Sequence, residues 1–491
     1  VKICLTTVHR TSQFIPLALL YLKAYLVERA GYDAGAIDIL EYGREAPVDD
    51  IVRAILAGEP DVLGLSVYVW NVTTLMAVAR RVKAQRPETT IVIGGPEVGP
   101  IAMSVLEAQP QIDVVVKSEG EIPFAHIVAA LEGGGGLAGV KGICRRAGGG
   151  IVEHEDAPIV TDLGELPSPH LLGFPDFKDR YICIETQRGC VFRCNFCFYN
   201  KDLALRNRRF DLDRVKAEIL FWLQQEVAEI YLMDPIFNLN AERAKEICRF
   251  IIAHNHRRIA FHAELWAEFV DEEMARLLRD ANFTFLEIGL QTTDDTALAT
   301  VERRLRLQRF IEGVEHMKRH DLRFEVQLIY GLPGETPATF RKSLNFAYSL
   351  DAGYLEVFRL MILPGTELWR KAEGLQLTFD PEPPYYVRSH FSMTAGQIAD
   401  GATIEAAVQA LRDSRTIRFL SREPGVTFAD LVDAYIASPA GDVPAFVTAF
   451  CEARGIPPAF YDAFSSREFA PASATAPSSA PAPSTPSPRR S

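Results

Sequence analysis

Along the first 130 or so residues, short unbroken apolar runs (VKICLTTV, AGAIDIL, DVLGLSVYV, TTIVIGGPEV and IDVVVKSEGE) alternate with helix-like stretches such as LALLYLKAYLVERAG and TLMAVARRVKAQ. An apolar run without alternation suits a strand buried on both faces, so the pattern predicts an α/β domain, doubly wound, with about five parallel strands over 1–135. GGGG at 133–136 and GGG at 148–150 bracket a weak strand, VKGICRRA, and a proline-rich extended stretch follows, so 136–178 reads as a linker. From Tyr181 the alternation resumes with YICIET, EIYLMD, IAFHAEL, TFLEIGLQ, FEVQLIYGL and LEVFRLMIL, separated by helices such as AERAKEICRFIIAH. These strand–helix units predict a partial (β/α)6 barrel over 179–380 with its reactive groups at the C-terminal strand ends. Residues 381–465 are helical in pattern, and the proline, alanine and serine segment at 466–491 reads as a disordered tail.

Composition narrows the classes of function. A chain of 491 residues with 48% hydrophobic positions can bury a large core, and its net charge of −12 leaves no basic footprint for nucleic acid. No window approaches the 18 or so apolar residues of a membrane span, and VKICLTTVHRT has no signal-peptide pattern. Eight cysteines are too few for a disulfide scaffold, and three of them sit close together, which argues for a ligand set in a reducing compartment. The expectation is a cytoplasmic protein with no membrane span and no nucleic-acid partner.

That trio is Cys190, Cys194 and Cys197, in ETQRGCVFRCNFCFYNK. Structural zinc needs a fourth ligand at a fixed offset, but Cys183 lies on the strand itself and the next cysteine downstream is Cys248. A C-x3-C-x2-C loop after a barrel's first strand can instead bind three irons of a cubane cluster and leave the fourth open. The loop resembles that of radical S-adenosylmethionine (SAM) enzymes, whose mark is this spacing with an aromatic before the last cysteine, here Phe196. The resemblance implies a [4Fe-4S] cluster whose open iron is chelated by SAM, and reductive cleavage of SAM to a 5′-deoxyadenosyl radical. It also implies roles downstream. Asp234 in MDPIFN takes the place of the acid that binds the amino group. Glu264 in FHAELW and Gln291 in EIGLQTTDD take those of ribose or methionine contacts. Arg303 or Arg304 is similar to the carboxylate-binding arginine, and QLIYGLPGET is similar to a strand motif of oxygen-independent coproporphyrinogen oxidases.

In the first domain, Ser66 of LGLSVYVWN and Gly94 and Gly95 of IVIGGPE stand at successive strand ends. This spacing resembles cobalamin-binding domains, and the resemblance extends to Glu97 beside the glycines, to Tyr68, and to Glu119 in VVKSEGE. The D-x-H-x-x-G motif of histidine-ligated cobalamin is missing, and His9 stands alone in the first strand-to-helix loop. Whether Tyr68, Val69, Trp70 or His9 faces the cobalt stays open. The arrangement over roughly residues 1–375 is similar to cobalamin-binding radical SAM enzymes. It implies cobalamin as a further cofactor, an electron donor such as flavodoxin or ferredoxin, and methylation of an unactivated carbon of a small-molecule substrate through methylcobalamin. Two alternatives stand beside it: radical cyclisation or rearrangement without methyl transfer, and a noncatalytic cobalamin- or metal-binding sensor.

Overall fold

The computed structural model describes residues 1–457 apart from 11, 12, 179 and 201–206. The segment 466–491, expected to be disordered, lies outside the described residues, as does the end of the helical segment beyond residue 457.

Seven strands form the first sheet: β1 (Ile3–His9), β2 (Ile37–Gly43), β3 (Val62–Ser66), β4 (Thr90–Gly94), β5 (Val114–Val116), β6 (Ile143–Ala147) and β7 (Gly150–Glu153). Their order is β2-β1-β3-β4-β5-β6-β7, parallel through β5 and antiparallel from β5 to β7. The linker reading therefore misses a hairpin: GICRRA and GIVE extend the sheet past residue 135. The glycines at 148 and 149 adopt positive φ and make the tight turn between the strands, so they punctuate a hairpin here rather than a domain boundary.

After β8 (Tyr181–Ile184), a short antiparallel pair, β9 (Gln187–Arg188) and β10 (Arg208–Arg209), brackets the cysteine loop. The second sheet continues with β11 (Glu229–Leu232), β12 (Ala260–Leu265), β13 (Phe283–Gln291), β14 (Phe324–Tyr330) and β15 (Tyr354–Arg359), in the parallel order β15-β14-β13-β12-β11-β8. This is the expected six-stranded open barrel. Its strands alternate: in β14, Phe324, Val326, Leu328 and Tyr330 are buried beneath helices, whereas Glu325, Gln327 and Ile329 are only partly covered.

The helix Leu17–Glu28 (LALLYLKAYLVE) joins the halves, and its sequence is apolar nearly all round. A helix with no polar face has to be covered on both sides. Leu19 and Leu20 are buried in the cluster that also contains Ile3 of β1 and Ile182 of β8, and the Tyr21 ring stacks 6.2 Å from Phe210. Tyr181 at the start of β8 donates its backbone N–H to Gln13 O at 2.7 Å, which docks the segment after β1 onto the second sheet's edge. Helices Ala395–Leu411, Arg415–Leu420, Phe428–Ala437 and Val443–Arg454 follow the barrel. The Phe428 ring stacks 3.6 Å from Tyr348, which seats this helical region on the barrel's outer layer. Among the described residues, no helix is long and apolar enough to cross a membrane.

Candidate active site between two cavities

The cysteine loop is held at both ends. At its start, the Asp234 carboxylate beyond β11 accepts the backbone N–H of Thr186 at 2.7 Å, that of Gln187 at 3.1 Å and the Thr186 hydroxyl at 2.5 Å. Gln187 adds an amide donor to Ile236 O at 2.6 Å. At its far end, Asn195 donates its backbone N–H to Val301 O at 3.0 Å and its side-chain amide to Thr300 O at 2.8 Å. Between these anchors Phe192 stacks on Trp266, ring centroids 3.9 Å apart.

So anchored, Cys190, Cys194 and Cys197 line one cavity of about 140 Å³ at the mouth of the barrel, together with Phe196, Glu264, Gln291 and Arg303. The Arg303 guanidinium stacks 4.4 Å over Trp266, donates to Cys194 Sγ at 3.5 Å and also donates to Gly289 O. Burial pushes the Cys197 thiol up to about 12 and raises Cys190 as well. Among the described residues, no three histidine, cysteine, aspartate or glutamate side chains close on a point that could hold a metal ion. The thiols share a wall rather than a centre.

Two polar atoms on this wall fit a polar ligand: Gln291 Oε1 and Arg303 Nε are buried with no hydrogen-bond partner. Gln291 also holds φ at 70°, a strained value for a residue with a side chain. The Glu264 carboxylate reaches solvent through the cavity while protein surrounds it. Burial, with Glu287 and Asp234 nearby, pushes its pKa up to about 8.

Three expected SAM contacts need correction or choice. Asp234 does not line the cavity, because both its oxygens are engaged by the turn that launches the loop; it is a positioning residue. Arg304 points to solvent, since consecutive residues on this turn diverge and only Arg303 turns inward. Glu287 and Gln327 were missed. Glu287 accepts from Tyr231 Oη at 2.6 Å and from Gln327 Nε2 at 3.0 Å, and both residues line the cavity. The period-two pattern of β13 and β14 placed them on the inner face with Gln291, a signal that could have found them.

The second cavity, about 530 Å³, opens where the first sheet's strand ends meet the barrel. Ser66, Tyr68, Gly94, Gly95 and Glu119 all line it. Gly95 adopts φ +117°, and a Cβ there would stand 2.4 Å from Val67 O, whereas one on Gly94 would make an ordinary 3.5 Å contact with Val116. Gly95 is therefore required by the close approach of its own backbone to Val67, just past β3. Tyr68 and Trp70 stack at 4.4 Å on this wall.

Glu119 is spent on the seam. It pairs with Arg208 at 2.7 Å and Arg188 at 3.4 Å, and Arg188 pairs further with Glu121 at 2.8 Å and Glu185 at 3.0 Å. Burial opposes the charge on Glu119, but the two arginines outweigh it and hold the carboxyl below its ordinary range. The sequence did not reveal the roles of Arg188 and Arg208, because their partners Glu119 and Glu121 lie in the other domain. Glu97 does not reach the cavity. It is buried and accepts the Tyr385 hydroxyl, and burial pushes its pKa up to about 7. His9 faces Glu41 at 2.9 Å and is not on the cavity wall.

Tyr199 and Pro235 belong to both cavities, so the thiol-lined space and the glycine-lined space are neighbours across a single wall. Residues 184–347 match the Radical SAM superfamily, and residues 3–128 match the B12 binding domain family. The chain is a radical SAM protein with a B12-binding domain. The "Uncharacterized methyltransferase PH0819" of Pyrococcus horikoshii is 27% identical to this radical SAM protein over 363 residues, covering 73% of this chain and 78% of that one. The cobalamin-dependent radical SAM methyltransferase TokK of Streptomyces tokunonensis is 29% identical over 377 residues, covering 72% of this chain but only 54% of TokK. The fold matches that of the radical SAM methyltransferase TsrM from Kitasatospora setae, with a TM-score of 0.65 at 19% identity, over 82% of this chain and 81% of that one.

Proposed function

We propose that this radical SAM protein is a cobalamin-dependent methyltransferase that acts on an unactivated carbon of a small molecule. The observation that carries the proposal is the shared wall of Tyr199 and Pro235 between the two cavities. In this reading Cys190, Cys194 and Cys197 hold a [4Fe-4S] cluster, and Phe196, Glu264, Gln291 and Arg303 surround SAM. Ser66, Tyr68, Gly94 and Gly95 border the corrinoid. When bound, the cluster with SAM supplies one-electron activation of a C–H bond, and the corrinoid supplies the methyl group.

The chain's own work is placement. Arg303 offers a carboxylate-binding guanidinium whose plane is fixed by Trp266, and Gln291 offers its unpaired oxygen to an ammonium or hydroxyl. Asp234 fixes the loop's origin, and the Arg188 and Arg208 pairs fix the first domain against it. Orientation of this kind, across the shared wall of Tyr199 and Pro235, is what lets two bound groups meet over one substrate atom. The substrate enters between the cavities, beside Tyr199 and Met233, both of which are exposed there.

The test is to reduce the reconstituted chain with methyl-labelled SAM and a small-molecule extract, then follow label by mass spectrometry. A product carrying the labelled methyl is expected. Cleavage of SAM with an unlabelled product overturns methyl transfer in favour of cyclisation or rearrangement, and a chain that neither absorbs as an iron–sulfur protein nor cleaves SAM favours the sensor reading.

A further inference from the structure

The function proposed above needs two electrons per turnover from outside the chain, one to cleave SAM and one to return the corrinoid to its methyl-accepting state, and the inference here rests on that reading. We infer that the surface over the cysteine loop, formed by Val191, Arg193, Arg304, Arg306, Leu307 and Arg309, is the docking face for an acidic one-electron donor protein of the flavodoxin type. The four arginines are exposed and pair with no carboxylate among the described residues. Val191 is 47% and Leu307 41% exposed, so the patch has apolar surface among its cations. An apolar contact with a charged rim is the usual anatomy of a protein interface.

This patch sits against the thiols. Arg193 precedes Cys194, and Arg303, one residue before Arg304, donates to the Cys194 sulfur at 3.5 Å. The loop's Asn195 is bonded to the carbonyls of Thr300 and Val301, so the segment carrying the arginines packs directly on the loop.

The charge runs against two local expectations. The whole chain carries −12, yet this patch is cationic. The helix Leu307–Arg319 has no acid in its first turn and has Arg306 at its N-cap with no side-chain cap. Positive charge at a helix N-terminus is unfavourable. By contrast the neighbouring helix Glu272–Asp280 has Glu272 and Glu273 in its first turn and Arg279 in its last. Nearby acids are already engaged: Glu302 pairs with Lys371 at 2.6 Å, and Glu268 accepts the Arg306 backbone N–H at 2.9 Å. A break in local consistency at an exposed position is where a functional demand shows. An acidic partner would be steered to this face and away from the rest of the chain.

The step itself is simple in balance: one electron leaves the donor's reduced flavin and enters the oxidised cluster, and no bond or proton changes on the chain. The test compares the parent with R306E/R309E, with R306Q/R309Q as the milder variant. Affinity for oxidised flavodoxin is measured by calorimetry with and without the cluster, and the reconstituted chain's cluster is reduced by reduced flavodoxin or by dithionite. At low salt the charge reversal is expected to weaken binding and flavodoxin-driven reduction by about 10-fold or more, with the gap closing as salt rises, while reduction by dithionite is unchanged. Equal affinity and equal flavodoxin rates in parent and variant overturn the docking face. A chain with no reducible cluster defeats the proposed function instead, and the affinity measurement, which needs no cluster, still decides the surface.

Discussion

The two large sheets end in neighbouring cavities that are walled in opposite ways. In β1 six of seven residues are buried, because helices cover both faces of the first sheet. In β14 burial alternates, because helices cover only the outer face and the inner face looks into the barrel. The glycine-lined cavity is consequently walled largely by backbone, glycine and apolar side chains, with its charges paired across the seam. The thiol-lined cavity presents Glu264, Glu287, Gln291 and Arg303, and keeps polar atoms unpaired. A large ligand can be held in the glycine-lined cavity by shape, whereas a small charged one in the thiol-lined cavity has to be held by side chains. Substitutions should therefore act through strain in one cavity and through charge or ligation in the other.

The sharpest break in that comparison is Cys194→Ala. It should abolish the iron–sulfur absorbance and lower SAM cleavage by more than about 100-fold, the scale of losing support at a metal centre. Cys183→Ala, one strand earlier, should leave the absorbance in place. On the other side, Gly95→Ala drives a Cβ to 2.4 Å from Val67 O at φ +117°, and should cost about 3 kcal/mol in urea unfolding and release bound cobalamin. Gly94→Ala meets only an ordinary contact and should be far milder; equal effects would show that backbone approach is not what Gly95 provides.

The third prediction concerns pH. Burial raises Glu97 from its ordinary 4.5 to about 7, with the Tyr385 hydrogen bond opposing only part of the shift. Below 4.5 the group is protonated in both the folded and unfolded chain. As pH climbs toward about 7 only the unfolded chain ionises, so folding stability falls across that window and is level above it. Glu97→Gln, which keeps an acceptor for Tyr385, should remove a fall on the order of 2 kcal/mol, read from urea unfolding at pH 5 and pH 8. An unchanged slope would mean that Glu97 is not the group responsible.

The smallest contrast separates adjacent arginines. Arg303→Gln should weaken SAM binding by about 10-fold, as expected for a buried charged donor. Arg304→Gln should change binding and stability by less than about 0.5 kcal/mol, because its side chain is exposed. Calorimetric titration of SAM into both variants checks the pair.

Much of the fold was legible because periodicity is a local property. Apolar runs alternating with helix-like stretches marked the strands of both sheets, and the C-x3-C-x2-C spacing located the metal loop within one stretch of chain. The hairpin β6–β7 was harder to read: Cys144 is fully buried, but Arg145, Arg146 and Ala147 are not, and an edge hairpin keeps only a weak pattern. Glu119 and Arg188 lie 69 residues apart, and no spacing rule links them.

The sequence by itself determined the order of elements, the three thiols on one loop and the glycines and serine at successive strand ends. Each of these follows from neighbours along the chain. Only the tertiary structure decided which strand-end acids face a ligand and which turn back to the backbone. Asp234 and Glu264 both occupy barrel strand ends, yet one is consumed by two backbone N–H groups and a hydroxyl while the other opens into the cavity. The reason is physical: a carboxylate goes where donors wait for it, and those donors come from segments that only folding brings together.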